Sequence, residues 1–138
     1  MKGKGREFFL SLSERERNVH VGINALLDLA HETATNAGWY TAPKTGEPIK
    51  RNFGEVVALM HSELSEALEA DRKQLMDDKL PHRLGVEVEF ADLLIRVADT
   101  AKALGLDLAG AIVEKNRVNV KRADHQIKNR RKVGGKRY

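Results

Sequence analysis

Apolar residues recur along this chain every three or four positions, which is the spacing of one face of an α-helix. The first such stretch begins at Ser13, which forms a capping-box pattern with Glu16, and it ends near Gly38. Three further stretches follow, with approximate bounds of 53–76, 82–104 and 108–132. The hydrophobic pattern therefore predicts four helices.

Segments rich in proline and glycine separate the predicted helices. Pro43, Gly46 and Pro48 predict a loop over residues 38–52, and Pro81 suits the first turn of the third helix. No segment alternates apolar and polar residues for long enough to predict a strand. We therefore expect an all-α fold, an antiparallel bundle of about four helices that oligomerisation completes.

The third predicted helix is apolar around most of its circumference, so either its own bundle or a second subunit should bury it. Two acidic residues, Glu89 and Asp92, interrupt this helix three positions apart. The second predicted helix carries Glu63 and Glu66 at the same spacing, with Glu63 inside its apolar arc and Glu66 on the edge. Because burying an unpaired carboxylate is costly, this pattern predicts a bound cation.

Two acidic pairs on neighbouring antiparallel helices can converge on one point, since residues three apart share a helix face. An all-oxygen ligand set favours Mg²⁺, with Mn²⁺ as a second choice, and Asp99 falls close to the same face. A di-iron site is disfavoured because no glutamate is followed by a histidine three residues later. In the alternative interpretation the acids pair with basic side chains such as Arg96.

Composition narrows the class of protein. A chain of 138 residues is long enough for one domain, and the absence of cysteine excludes disulfides, zinc–thiolate sites and cysteine catalysis. The N-terminal segment has only a three-residue apolar run, which predicts neither a secretory signal nor a membrane anchor. We expect a cytoplasmic protein with no membrane partner.

Charge is distributed unevenly. Residues 115–138 carry ten basic and one acidic side chain, whereas the rest of the chain is acidic, although the net charge is +4. We expect a basic, flexible tail from about residue 129. Such a tail could contact nucleic acid or a polyphosphate, or it could be the solvated end of a helix.

The acidic spacing resembles that of a known family. Glu63-x-x-Glu66, a 22-residue gap and Glu89-x-x-Asp92 resemble the signature of the MazG-like, all-α nucleoside triphosphate pyrophosphohydrolases. The flanking segments SELSEALEADR and FADLLIRVADTAKALGLDL are similar too, and the likeness covers about residues 38–122. In one departure, Ser62 precedes the first glutamate where many members carry a second glutamate.

A second motif, on the last predicted helix, resembles the basic motif of the same family. It comprises Lys115, Asn119 and Arg122, which share one stripe of a helix. The resemblance implies that Lys115 and Arg122 contact phosphates and that Asn119 adds a polar contact. The alternative is an exposed basic face. Trp39, which follows Gly38, is expected either to stack on a nucleobase or to anchor the loop by packing.

The resemblance further implies a homodimer or homotetramer that hydrolyses a (d)NTP between its α- and β-phosphates, with Mg²⁺ as the cofactor. The products would be a nucleoside monophosphate and pyrophosphate. The four acids, Glu63, Glu66, Glu89 and Asp92, would form the catalytic metal site. One of them could instead serve as the base towards water, and Glu66 is our candidate.

Other functions compete with this expectation. A helical nucleic-acid-binding protein would use the basic C-terminal tail, and a purely structural dimerisation bundle would have no response to Mg²⁺. Two relatives within the same superfamily, phosphoribosyl-ATP pyrophosphohydrolases and dimeric dUTPases, also stay open. The sequence leaves the base, the sugar and the number of metal ions undecided.

Overall fold

The computed structural model describes the backbone of residues 2–137 and the side chains of residues 5–137. Over this range the chain is all-helical and has no strand, only the isolated bridges Thr41–Pro48 and Met76–Leu84. The six described α-helices are α1 (Lys2–Leu10), α2 (Glu14–Asn36), α3 (Phe53–Lys73), α4 (Gly85–Ala103), α5 (Leu108–Lys121) and α6 (Ile127–Arg130), with a 3₁₀ turn at Ala123–His125. The prediction of an all-α fold is confirmed.

Side chains at the predicted boundaries fix where several helices begin. The Ser13 N–H donates to Glu16 Oε2 at 2.8 Å and the Glu16 N–H donates to Ser13 Oγ at 3.3 Å, so the capping box forms. Asn52 accepts a hydrogen bond from an N–H in the first turn of α3. Asp107 does the same for α5.

The last predicted helix is shorter than expected. It ends at Lys121 because Arg122 adopts an extended backbone with φ −64° and ψ 128°. The Gln126 side chain donates to the Val120 carbonyl at 2.7 Å, and the Asn129 side chain donates to the Ala123 carbonyl at 2.7 Å. These bonds give acceptors near the end of the helix the partners that a continuing helix would have supplied. The expectation of one continuous helix over 108–132 is therefore wrong. The predicted second and third helices are also trimmed, by about three residues each.

Helix contacts divide the chain into two compact units, one comprising Ala25–Leu106 and the other Met1–Asn24 with Asp107–Tyr138. In the first unit α3 packs antiparallel along α4. The helices approach closely where α4 starts, since a Cβ on Gly85 would lie 2.9 Å from the Ala70 Cβ. Small buried residues such as Ala67, Ala98 and Ala101 keep the unit's core thin.

The second unit is fastened by an ion pair between the start of α2 and α5. Arg117 donates to Glu16 through Nε at 2.6 Å and Nη2 at 2.8 Å, a bidentate geometry. The hydrogen bond from Arg117, followed by those from Ser13, lowers the pKa of Glu16 to about 2. The buried apolar residues of this unit, among those described, are Leu12, Ala109 and Val113.

A single chain does not bury all of α4. Phe90, Leu94 and Ile95 are 50%, 56% and 45% exposed, so the described residues leave one apolar face of this helix uncovered. Leu64 and Leu68 of α3 are exposed as well. Of the two expected ways of burying α4, its own chain therefore achieves only part, and burial by a second subunit stays a prediction. None of the described helices combines the length and the apolar character that crossing a bilayer requires.

Candidate metal centre

One stripe of α4 carries four charged side chains. Glu89, Asp92, Arg96 and Asp99 follow one another at offsets of three, four and three residues, which places them on a single face of the helix. Antiparallel packing sets Glu63 of α3 against this face. Periodicity within two helices is therefore enough to bring the charges together.

Three of the predicted acids converge. One carboxylate oxygen from each of Glu63, Glu89 and Asp92 lies within 4.8 Å of the other two. Glu63 is buried, Glu89 is half-buried and Asp92 is exposed, so the group runs from the core to the surface. We call these three residues the carboxylate cluster. A hard divalent cation such as Mg²⁺ or Mn²⁺ fits this donor set, because all three donors are carboxylates and the outer side is open to water.

Glu66, the fourth predicted acid, lies outside the carboxylate cluster. It is exposed and, with Glu69 and with Glu89 of the cluster, borders a cavity of 270 Å³. Its charge is nevertheless close enough to Glu89 to raise the pKa of that residue. The structure thus places Glu66 beside the cluster, facing solvent.

Glu89 has a strongly perturbed acidity. Burial, then a hydrogen bond with Glu63, and then the charges of Glu66 and Asp92 raise the pKa of Glu89 to about 7. Without a cation, the cluster therefore holds a proton below neutral pH. Neighbouring carboxylates repel one another when all are ionised, so one of them is expected to keep its proton.

Metal binding should consequently displace this proton. Titrating the protein with Mg²⁺ at a pH of about 6 should release close to one proton, and much less at a pH of about 8. The raised pKa also implies that the metal-free protein loses stability as the pH rises from 4.5 towards about 7, a loss that Mg²⁺ should reverse. Calorimetry in buffers of different ionisation enthalpy measures the release, and identical heats in all buffers would contradict it.

The alternative interpretation, pairing with a basic side chain, holds for one member of the cluster. Arg96 Nε donates to Glu63 Oε1 at 2.5 Å, and the Arg96 side chain stays 36% exposed. Neither Glu89 nor Asp92 forms an ion pair with any described basic side chain. Arg96 therefore balances part of the charge of the cluster and leaves a net negative site.

Asp99 is only 4% exposed and is separate from the cluster. It accepts hydrogen bonds from the Tyr40 O–H at 2.7 Å and from Arg51 Nη1 at 3.4 Å, while His31 Nδ1 lies 2.8 Å from its carboxylate. Burial and the bond with Asp99 raise the pKa of Tyr40 to about 12. This network, rather than a metal, neutralises Asp99, which the sequence offered as a fifth acid on the ligand face.

A cavity of 380 Å³ joins the cluster to the network of Asp99. Asp92, Arg96, Asp99, Arg51 and Trp39 line it, together with small side chains of α2. The Arg51 guanidinium carbon lies 5.7 Å from the centre of the Trp39 ring, a cation–π distance, and Trp39 is 62% exposed. The cavity thus combines a carboxylate of the cluster, two guanidinium groups and an accessible aromatic plane.

Comparisons of the chain with protein-family models, with curated proteins and with solved structures gave no match. The resemblance to the MazG-like family is therefore carried only by the segments quoted above.

The predicted basic motif lies in the other compact unit. Lys115 and Asn119 border a cavity of 820 Å³, and the Asn119 Oδ1 atom is buried there without a hydrogen-bond partner among the described residues. Arg122 lies beyond the end of α5 and donates to both Asp124 oxygens, at 3.0 and 2.7 Å. The expected three-residue stripe is therefore broken at Arg122, whose guanidinium is already engaged.

Sequence reasoning missed His31, Tyr40 and Arg51, which come from α2 and the following loop. Their partner Asp99 is 48 to 68 residues away along the chain, so no local spacing connects them. The available signal was Asp99 itself, an acidic residue on the inward stripe of α4. Such an acid needs polar partners, and a loop containing Tyr40 and Arg51 could supply them.

Proposed function

We propose that this protein is a Mg²⁺-dependent nucleotide pyrophosphohydrolase that cleaves a (d)NTP between its α- and β-phosphates. The observation that carries the proposal is the convergence of Glu63, Glu89 and Asp92 beside a cavity with guanidinium and aromatic groups. A metal bound by carboxylates next to cationic side chains suits a polyphosphate substrate. The resemblance to the MazG-like enzymes supports the same reaction.

In this proposal Glu63, Glu89 and Asp92 hold the metal. When bound, the ion would neutralise phosphate charge and lower the pKa of a water molecule. Glu66, exposed beside Glu89, is the group that we expect to accept the proton of the attacking water. The water oxygen attacks the α-phosphorus, the bond to the bridging oxygen breaks, and pyrophosphate leaves with the bonding electrons.

The cavity suggests how the substrate would be held. Trp39 offers an exposed ring on which a base can stack, and Arg51 is fixed against that ring by its bond with Asp99. Lys115, Asn119 and Arg122 remain candidate phosphate contacts through the resemblance, of which Arg122 would first have to leave Asp124.

Assembly into a homodimer or homotetramer is part of the proposal. The exposed apolar residues of α3 and α4 support it, since an uncovered apolar stripe on two adjacent helices marks an interaction surface. Leu64 and Leu68 are four residues apart, as are Phe90 and Leu94, so each pair forms a stripe along its own helix.

The decisive experiment is a screen of canonical and modified (d)NTPs with Mg²⁺, in which chromatography identifies the products. We expect equal amounts of a nucleoside monophosphate and pyrophosphate from at least one substrate, and no turnover when a chelator replaces the metal. Release of single phosphate from the γ-position would assign a different reaction. No hydrolysis of any nucleotide would refute the proposal.

A further inference from the structure

We infer that Arg96 is a counter-ion built into the carboxylate cluster, one that a bound metal replaces and that then binds the phosphates of the substrate. This inference rests on the proposed function. It assigns to Arg96 two successive partners, first Glu63 and then an anion in the adjoining cavity. Arg96 is thereby a positioning residue for the metal ligand and a binding residue for the substrate.

The first argument is the charge of Glu63. Its side chain is 6% exposed, and a carboxylate removed from water to that degree needs a cation or a proton. Arg96 supplies the cation, with Nε at 2.5 Å from Glu63 Oε1. The metal-free protein can therefore fold with Glu63 in place, and the ligand does not have to be assembled when the metal arrives.

The second argument is competition for the same carboxylate. Glu63 belongs both to the ion pair with Arg96 and to the cluster whose oxygens lie within 4.8 Å of one another. Arg96 follows Asp92 by one helical turn, so its guanidinium lies next to the position where a divalent cation would be held. Two cations at this spacing repel each other, and the metal should weaken the hold of Glu63 on Arg96.

The third argument is the place to which the guanidinium can move. The Arg96 side chain is 36% exposed and lines the 380 Å³ cavity together with Asp92 and Trp39. A guanidinium presents several N–H donors in a planar fork that matches phosphate oxygens. Arg51 lines the same cavity, but its partner Asp99 lies outside the carboxylate cluster and its side chain is only 22% exposed. A metal in the cluster would therefore compete with Arg96 for its partner, and not with Arg51.

The test compares Arg96→Gln with the wild-type chain by calorimetry in the absence of nucleotide. Removing a charged group that competes for Glu63 should tighten Mn²⁺ or Mg²⁺ binding about tenfold. Binding of inorganic tripolyphosphate in the presence of Mg²⁺ should weaken about tenfold in the same variant. Arg83→Gln is the matched control, because it removes the same charge from an exposed pair with Glu87 and should change neither value.

A second variant separates this role from a merely structural one. Arg96→Lys keeps a cation beside Glu63, so its metal affinity should stay near that of the wild type. This comparison still tests the inference if Arg96→Gln does not fold without metal. If Arg96→Gln folds and its metal affinity is unchanged or lower, the inference is overturned. It is also overturned if Arg96→Lys tightens metal binding as much as Arg96→Gln does.

Failure of the proposed function would look different. A wild-type chain that binds metal but hydrolyses no nucleotide refutes the function while leaving the metal-affinity comparison decisive for Arg96. A wild-type chain that binds no divalent cation refutes both. The tripolyphosphate arm needs no turnover, so it reports on Arg96 even with an unsuitable base or sugar.

Discussion

Glu63→Gln should reduce the proposed nucleotide hydrolysis by about a thousandfold or more, because a neutral amide replaces the innermost carboxylate of the cluster. A catalytic metal supplies several kcal/mol of transition-state stabilisation, and each tenfold in rate corresponds to about 1.4 kcal/mol. Since Glu63 is nearly fully buried, no water-exposed carboxylate can take over its place. Turnover of the best substrate from the nucleotide screen, measured at saturating Mg²⁺, checks this prediction.

The control for Glu63→Gln is Glu69→Gln on the same helix. Glu69 lies six residues later, is partly exposed and pairs with Lys73, so its replacement should leave hydrolysis within about twofold of the wild type. Thermal unfolding with and without Mg²⁺ completes the comparison. Mg²⁺ should stabilise the wild type and Glu69→Gln, but Glu63→Gln only weakly. Full activity in Glu63→Gln would favour a purely structural role for the acidic pairs.

Asp99→Ala should destabilise the protein by about 3–5 kcal/mol, the cost of removing one partner from a buried charged network. Tyr40, His31 and Arg51 would all lose their shared acceptor, and two of these residues hold the loop that carries Trp39. This loss is a large fraction of the roughly 5–15 kcal/mol that stabilises a typical domain. Denaturant unfolding followed by circular dichroism measures it.

Asp28→Ala provides the comparison for Asp99→Ala. Asp28 also pairs with a residue of α4, Lys102, but both side chains are well exposed to solvent. Its removal should cost less than about 1 kcal/mol, as is usual for surface ion pairs. Equal losses in the two variants would show that burial of Asp99 contributes nothing to its interaction with the loop.

The fold class and the convergence of acids follow from short-range patterns. Helical spacing of apolar residues predicts α2 to α5, and acids three residues apart on two antiparallel helices predict a shared face. Glu63, Glu89 and Asp92 could be placed together because they lie on the facing sides of two helices that are neighbours in sequence. Such information is contained within about forty residues of chain.

Features that depend on particular side-chain hydrogen bonds, or on partners far away along the chain, could not be predicted in this way. The break at Arg122 depends on its own hydrogen bonds with Asp124 and on the side chains of Gln126 and Asn129, which a hydrophobic pattern does not register. The exposure of Glu66 depends on how α3 is rotated about its axis relative to α4. A helical wheel does not determine this angle closely enough to decide the exposure of a residue on the edge of the apolar arc. The network around Asp99 joins residues from three separate segments.

The buried alanines of α4 restrict the rotation of this helix about its axis. Ala98 and Ala101 are 1% and 4% exposed, so the helix cannot turn about its axis without opening the thin core beneath it. Two acids of the cluster and Asp99 lie on this same helix, so any rotation about its axis would displace the carboxylate cluster and the anchor of the Trp39 loop together. Two buried methyl groups thereby set the distance between the carboxylate cluster and the loop that carries Trp39.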